Sequence, residues 1–97
     1  MSIGHVTPAD GNIFADLGFP RPEAENLKIR SSLMIVISDI IESRGLKQNQ
    51  AAKLFGVTQP RISDLLGGQI DVFTIDSLVN MLAHAGVRVE VTVSDAG

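Results

Sequence analysis

The chain has 97 residues, no cysteine and a formal net charge of −3. That length bounds it to one domain with short tails, and the missing thiols exclude a disulfide framework and a thiolate metal site. Hydrophobic residues make up 44% but aromatic residues only 4%, with no Trp or Tyr, so the core must be built mainly from Leu, Ile and Val. No apolar run reaches membrane-spanning length, and the N-terminus lacks the basic, apolar, then small-residue pattern of a secretory signal; both point to the cytoplasm.

Residues 1–11, with Gly4, Pro8 and Gly11 and little periodicity, predict a flexible tail. The helical domain is expected over 12–86. It opens with a short capped turn in which Asn12 caps, Gly18 stops, and Ile13, Phe14 and Leu17 share a side. Pro20-Arg21-Pro22 breaks the chain. A long helix follows from about Glu23 to Arg44, its acidic start and basic end matching the helix dipole, and Gly45 ends it. Leu33, Val36, Ile37, Ile40 and Ile41 form one stripe at helical spacing, while Met34 and Ile35 widen the apolar surface. The extra face packs either on the N-terminal segment or on a second protein.

Residues 47–66 carry the layout of a DNA-reading helix-turn-helix. Ala51, Ala52 and Phe55 are the inner face of a first helix, and Gly56 supplies the left-handed residue that ends it. Val57 plugs the turn, Thr58 is placed to cap the second helix, and Ile62 and Leu65 form that helix's inner face. Gln59, Arg61, Ser63 and Asp64 are left as outer polar positions able to bond base edges. Two core helices joined by a tight turn are the plainer alternative. Pro60, in the first turn of the second helix, removes no intrahelical bond, and directs the Thr58 cap to the Arg61 N–H. Gln59 suits adenine; Arg61 suits guanine or a phosphate; Asp64 either accepts from cytosine or is simply solvated.

Charge is unevenly divided. From Arg44 to Gln69 there are Arg44, Lys47, Lys53 and Arg61 against Asp64, a local balance of +3 that leaves −6 for the remainder. Phosphate attraction is short-ranged in salt, so the patch counts for more than the total. Lys47 stands at the cap position of the first motif helix, where it forgoes a side-chain cap; a DNA phosphate or water would serve the free donors. Gln48 at that helix end faces the same phosphate. Gly67, Gly68 and Gln69 form a loop whose backbone can approach a second one.

Thr74 then caps a helix with Ile75, Leu78, Leu82 and Ala85 on its buried side and Gly86 as its stop. Residues 87–93 alternate strictly and predict one β-strand, followed by a tail at 94–97. A lone strand needs a partner for its backbone groups, and the simplest is the same strand of a second copy. Val87, Arg88, Val89, Glu90 and Val91 are therefore the expected dimer interface, with the four valines of 87–93 packing on helices. Centring the antiparallel pair on Val89 sets Arg88 opposite the second copy's Glu90.

Nothing assembles into a catalytic centre. His5 and His84 are too far apart to suggest a metal pair, no histidine neighbours a nucleophile, and there is no glycine-rich phosphate loop. The expectation is a protein that is not an enzyme and uses no cofactor or metal.

On the residues from Leu46-Lys47-Gln48 through Gln50-Ala51-Ala52, Phe55-Gly56-Val57-Thr58-Gln59 and Ile62-Ser63, residues 33–86 resemble the Xre/Cro-like helix-turn-helix family. The fold so implied is mainly α, a five-helix domain with one C-terminal strand. More narrowly, residues 12–19, Gln59-Pro60-Arg61-Ile62-Ser63, Leu66-Gly67-Gly68 and residues 73–78 are similar to HigA-type antitoxins. That resemblance implies a homodimer that binds its own palindromic operator in double-stranded DNA and neutralises a small RelE/HigB-like ribonuclease toxin. It also implies DNA-reading roles for Gln59, Arg61, Ser63 and Asp64 and a phosphate-side role for Gln48; Lys47 departs from the family's usual Thr or Ser. Ile13, Phe14, Leu17 and Phe19, more apolar than a tail requires, are the expected toxin contacts. A free-standing or phage-type repressor and a protein-interaction module on the same scaffold are the alternatives.

Overall fold

A computed structural model describes residues 12–95. Asn12 starts it: its Oδ1 accepts from the backbone N–H groups of Phe14 and Ala15 at 3.0 and 3.4 Å, opening the single-turn helix α1 (Ile13–Asp16). Gly18 takes the left-handed backbone (φ +97°), and the Phe19 N–H returns to the Phe14 carbonyl at 3.1 Å. This tight closure brings the rings of Phe14 and Phe19 edge to face, 6.2 Å between centroids. The cap and stop residues named from sequence are those the chain uses.

The long helix α2 (Arg21–Ser43) begins two residues earlier than its acidic start suggested. Pro22 sits in its first turn, where the missing N–H would have no intrahelical partner anyway. Ala24, Leu27, Leu33, Met34, Ile37, Ile40 and Ile41 are buried along it, and α1 packs across it. Met34 joins the core, Val36 is only half-buried, and Ile35 is left 58% exposed.

Three shorter helices close the domain: α3 (Gln48–Phe55), α4 (Gln59–Leu66) and α5 (Ile75–His84), with a single 3-10 turn at Ile70–Val72 between the last two. α4 and α5 pack on α2, and α3 packs on α4 and α5, so that all their inner faces join one core. Ile37, Ile62 and Leu78 are wholly buried, with Phe55, Phe73, Leu33 and Leu82 each at 1%. Each such side chain contributes roughly 1.5–3 kcal/mol relative to leaving it in water. α5 carries the cap expected of it, Thr74 Oγ1 accepting from the Ser77 N–H at 3.1 Å while Ser77 Oγ accepts from the Thr74 N–H at 2.9 Å. Met81 fills the core beside Leu78 and Leu82, and Ile75 and Ala85 lie at its edge. No helix among the described residues is long and apolar enough to cross a membrane.

The C-terminal segment departs from its expected form. No β-strand forms among the described residues; Glu90 makes one isolated bridge. Val87 and Val89 pack at the core's edge, but Val91 and Val93 are 79% and 88% exposed. The alternation therefore describes a helix-packed face for two valines, not four. Beyond Val87 the chain runs along the α2 and α5 surfaces, where Val89, Val91 and Thr92 border a groove of about 200 Å³ with Ile29, Leu33, Ile75 and Val79; Val91 edges this groove while its side chain stays largely open to solvent. The expected tail at 1–11 and the end of the tail at 94–97 lie outside the described residues.

Candidate nucleic-acid interface

The reading head is made by α3, the turn at Gly56 and α4. Ala51, Ala52 and Phe55 bury the inner side of α3, and Ile62 and Leu65 that of α4. Gly56 is required twice over. Its backbone is left-handed (φ +68°, ψ +32°), and a Cβ there would lie 2.7 Å from Cδ2 and 2.9 Å from Cγ of His84. His84, at the end of α5, places Nδ1 2.9 Å from the Leu54 carbonyl oxygen. An Nδ1–H tautomer donates to this carbonyl in the last turn of α3, so α5 braces the turn from behind.

Lys47 forgoes a side-chain cap as expected, whereas the cap of the second motif helix differs from expectation. Thr58 has the extended backbone of an N-cap, but its hydroxyl makes no cap bond. The Arg61 and Ile62 N–H groups instead meet the Thr58 carbonyl at 3.1 and 3.2 Å. The carbonyl already serves the donor expected to take the hydroxyl. At Lys47 the side chain has no acceptor to offer, but Gln50 Oε1 takes the Lys47 backbone N–H at 2.8 Å. Half of a capping box thus forms around a lysine, and Gln50 is the residue that fastens the start of α3.

Lys47 and Gln48 at the head of α3, Lys53 on its outer side, and Thr58, Gln59, Pro60, Arg61 and Ser63 along α4 are all exposed, as is Gln69; Asp64 is half-buried. Gln59 and Ser63, one turn apart, share a face. Successive residues step about 100° around a helix. With Ile62 and Leu65 inward, Pro60, Ser63 and Asp64 fall on the outward half, and Gln59 and Arg61 fall on opposite flanks. The Arg61 guanidinium is also engaged: Nη1 donates to the Val72 carbonyl at 3.0 Å, and Cζ stands 5.6 Å from the centroid of the Phe73 ring. From α2, Arg30 Nη1 donates to the carbonyls of Ile70 and Phe73 at 3.2 and 3.3 Å, while its Nε donates to Asn26 Oδ1 at 2.7 Å.

Arg30, His84 and Phe73 carry no sequence signal for these roles. Arg30 lies 40 and 43 residues from the carbonyls it holds, and His84 lies 30 from Leu54. No local pattern encodes such pairs. The apolar residues of the N-terminal third are also placed: Ile13 and Leu17 are 66% and 68% exposed, Phe19 40%, and Phe14 is half-buried. Phe14 borders a groove of about 350 Å³ with Met34, Ile35, Leu65 and Leu66.

Residues 13–94 match the family described as Helix-turn-helix domain. The chain belongs to that family. The fold is also similar to a solved protein described as a putative XRE-family transcriptional regulator, at 26% identity and a TM-score of 0.70, over 76% of this chain and 83% of that one. No curated protein matches. The helix-turn-helix is thus of the Xre type, as the residues from Leu46 to Ser63 suggested.

Proposed function

We propose that the chain is a sequence-reading repressor that binds a palindromic operator as a homodimer, regulates its own operon, and is the antitoxin of a HigBA-like module. It acts by binding, not catalysis, in the cytoplasm. The observation that carries the DNA reading is the solvent side of α4: Gln59 and Ser63, one turn apart, are exposed on a helix whose inner side is sealed by Ile62 and Leu65. A polar helix face held this rigidly, beside the +3 charge balance of residues 44–69, suits a major groove flanked by phosphates. Lys47, Gln48, Lys53 and Gln69 supply the phosphate side.

The antitoxin role draws support from a different surface. Ile13, Leu17 and Phe19 are exposed apolar residues around a one-turn helix that has little to fold around except α2. The fit is to a small RelE/HigB-like toxin covering that edge. For the dimer, exposed Val91 and Val93 continue the line of Val87 and Val89, and a second copy would pair along residues 87–91.

Co-expression with the neighbouring open reading frame, followed by pull-down through this chain, tests the antitoxin role. A stoichiometric complex with a small ribonuclease, relieving its toxicity, is the expected result. Operator binding with no associated toxin would leave a free-standing repressor.

A further inference from the structure

The two arginines that converge on residues 70–73 stand out, because one of them also belongs to the recognition helix. Arg61 leaves α4 on its flank, donates to the Val72 carbonyl at 3.0 Å and stands over the Phe73 ring. Phe73 is 1% exposed and part of the core, so its ring is a fixed platform. Arg30 reaches the same turn from α2 and takes the carbonyls on either side of Val72, those of Ile70 and Phe73. Three carbonyls of one short connection are thereby held by two guanidinium groups from two different helices. Only Ile70 and Phe73 of this connection enter the core or pack on it; the rest of its fixation is polar.

We propose that Arg61 is a positioning residue, not a base reader: with Arg30 it clamps the turn between α4 and α5 and so sets how α4 is presented to DNA. The proposal rests on the DNA-binding reading above. Hydrogen bonds from a charged donor are stronger than neutral ones, and a cation over a fixed ring adds to them. A guanidinium that already holds a backbone carbonyl and a ring face on its own domain has less to gain from a guanine edge than an unengaged one. Gln59 and Ser63, exposed and with no such engagement, are left to discriminate bases.

The experiment uses the full chain and a duplex selected by the wild-type protein from a random-sequence pool. Binding of wild type, Arg61→Ala, Arg30→Ala and Phe73→Leu is measured against that duplex, against each single-base-pair variant of it, and across a salt series. Hydrogen exchange follows the amides of residues 70–73. The clamp predicts that Arg61→Ala and Arg30→Ala both bind roughly ten-fold more weakly, lose about the same factor at every base pair, and exchange faster at residues 70–73. The slope of log K against log salt should change by less than about half a phosphate contact, where a whole one is worth about 0.9. Phe73→Leu, which removes the ring but keeps an apolar side chain, should reproduce part of the Arg61 effect.

Loss of discrimination at a single base pair in Arg61→Ala would make it a base reader, and a slope reduced by about 0.9 would make it a phosphate contact; either overturns the proposal. So does unchanged binding by Arg30→Ala, which removes nothing from α4. If the wild type enriches no sequence, the DNA reading itself falls, and the exchange rates of residues 70–73 still judge whether the clamp exists.

Discussion

Replacing Gly56 by Ala perturbs the reading head at the point where two constraints meet. A left-handed backbone costs an L-residue about 1–2 kcal/mol, and φ at Gly56 is +68°. The new Cβ would also stand 2.7 Å from His84 Cδ2 and 2.9 Å from Cγ and Nε2, inside any real contact distance. The imidazole is exposed and can swing away, but only by giving up its 2.9 Å bond to the Leu54 carbonyl, worth about 0.5–1.5 kcal/mol. Gly56→Ala should therefore cost about 1.5–3.5 kcal/mol. In a His84→Ala background the clash disappears and the bond is already lost, so the same substitution should cost only its conformational part, about 1–2 kcal/mol. The double variant should be less destabilised than the sum of the singles by roughly 0.5–1.5 kcal/mol. Urea denaturation followed by far-UV circular dichroism gives all four stabilities if the slopes agree. Additive effects, or a Gly56→Ala cost that is the same with and without His84, would refute the bracing contact.

Ile62→Ala, at a wholly buried site, should lose about 2–5 kcal/mol in the same assay, a large share of the stability of a domain this size. Lys53→Ala should weaken binding to all duplexes about equally and lower the salt slope by about 0.9; a sequence-dependent loss would make Lys53 a reader. A chain ending at Gly86 should sediment as a monomer and lose most operator affinity, whereas an unchanged dimer would shift the interface to the exposed Ile35 side of α2. Residues 30–97 alone should fail to hold the toxin, so full neutralisation by that fragment would place the toxin elsewhere.

Features that depend on sequence neighbours are legible in the sequence itself. Asn12, Gly18, Gly45, Gly56, Thr74 and Gly86 mark helix ends where they are expected, because caps and left-handed stops are local chemistry. Ala51, Ala52, Phe55, Ile62 and Leu65 are legible by period. Features set by long-range contacts are not. Thr58 is spaced to cap but its carbonyl takes the donors, and Arg61 has the composition of a base reader but a flank position and a turn to hold. Val91 and Val93 continue the alternation but stay exposed, and no period reports how far a helix surface covers the chain that runs along it.

Sequence reading by the outward polar face of α4 shows most directly in an affinity ratio. The ratio compares the selected duplex with a scrambled one of equal length, at near-physiological salt, for wild type and Gln59→Ala. For wild type it should be about 10³ or more, cut about ten-fold or further by Gln59→Ala with the fold intact. A wild-type ratio near one, or an undiminished ratio in Gln59→Ala, would contradict the assignment of α4 as the reading helix.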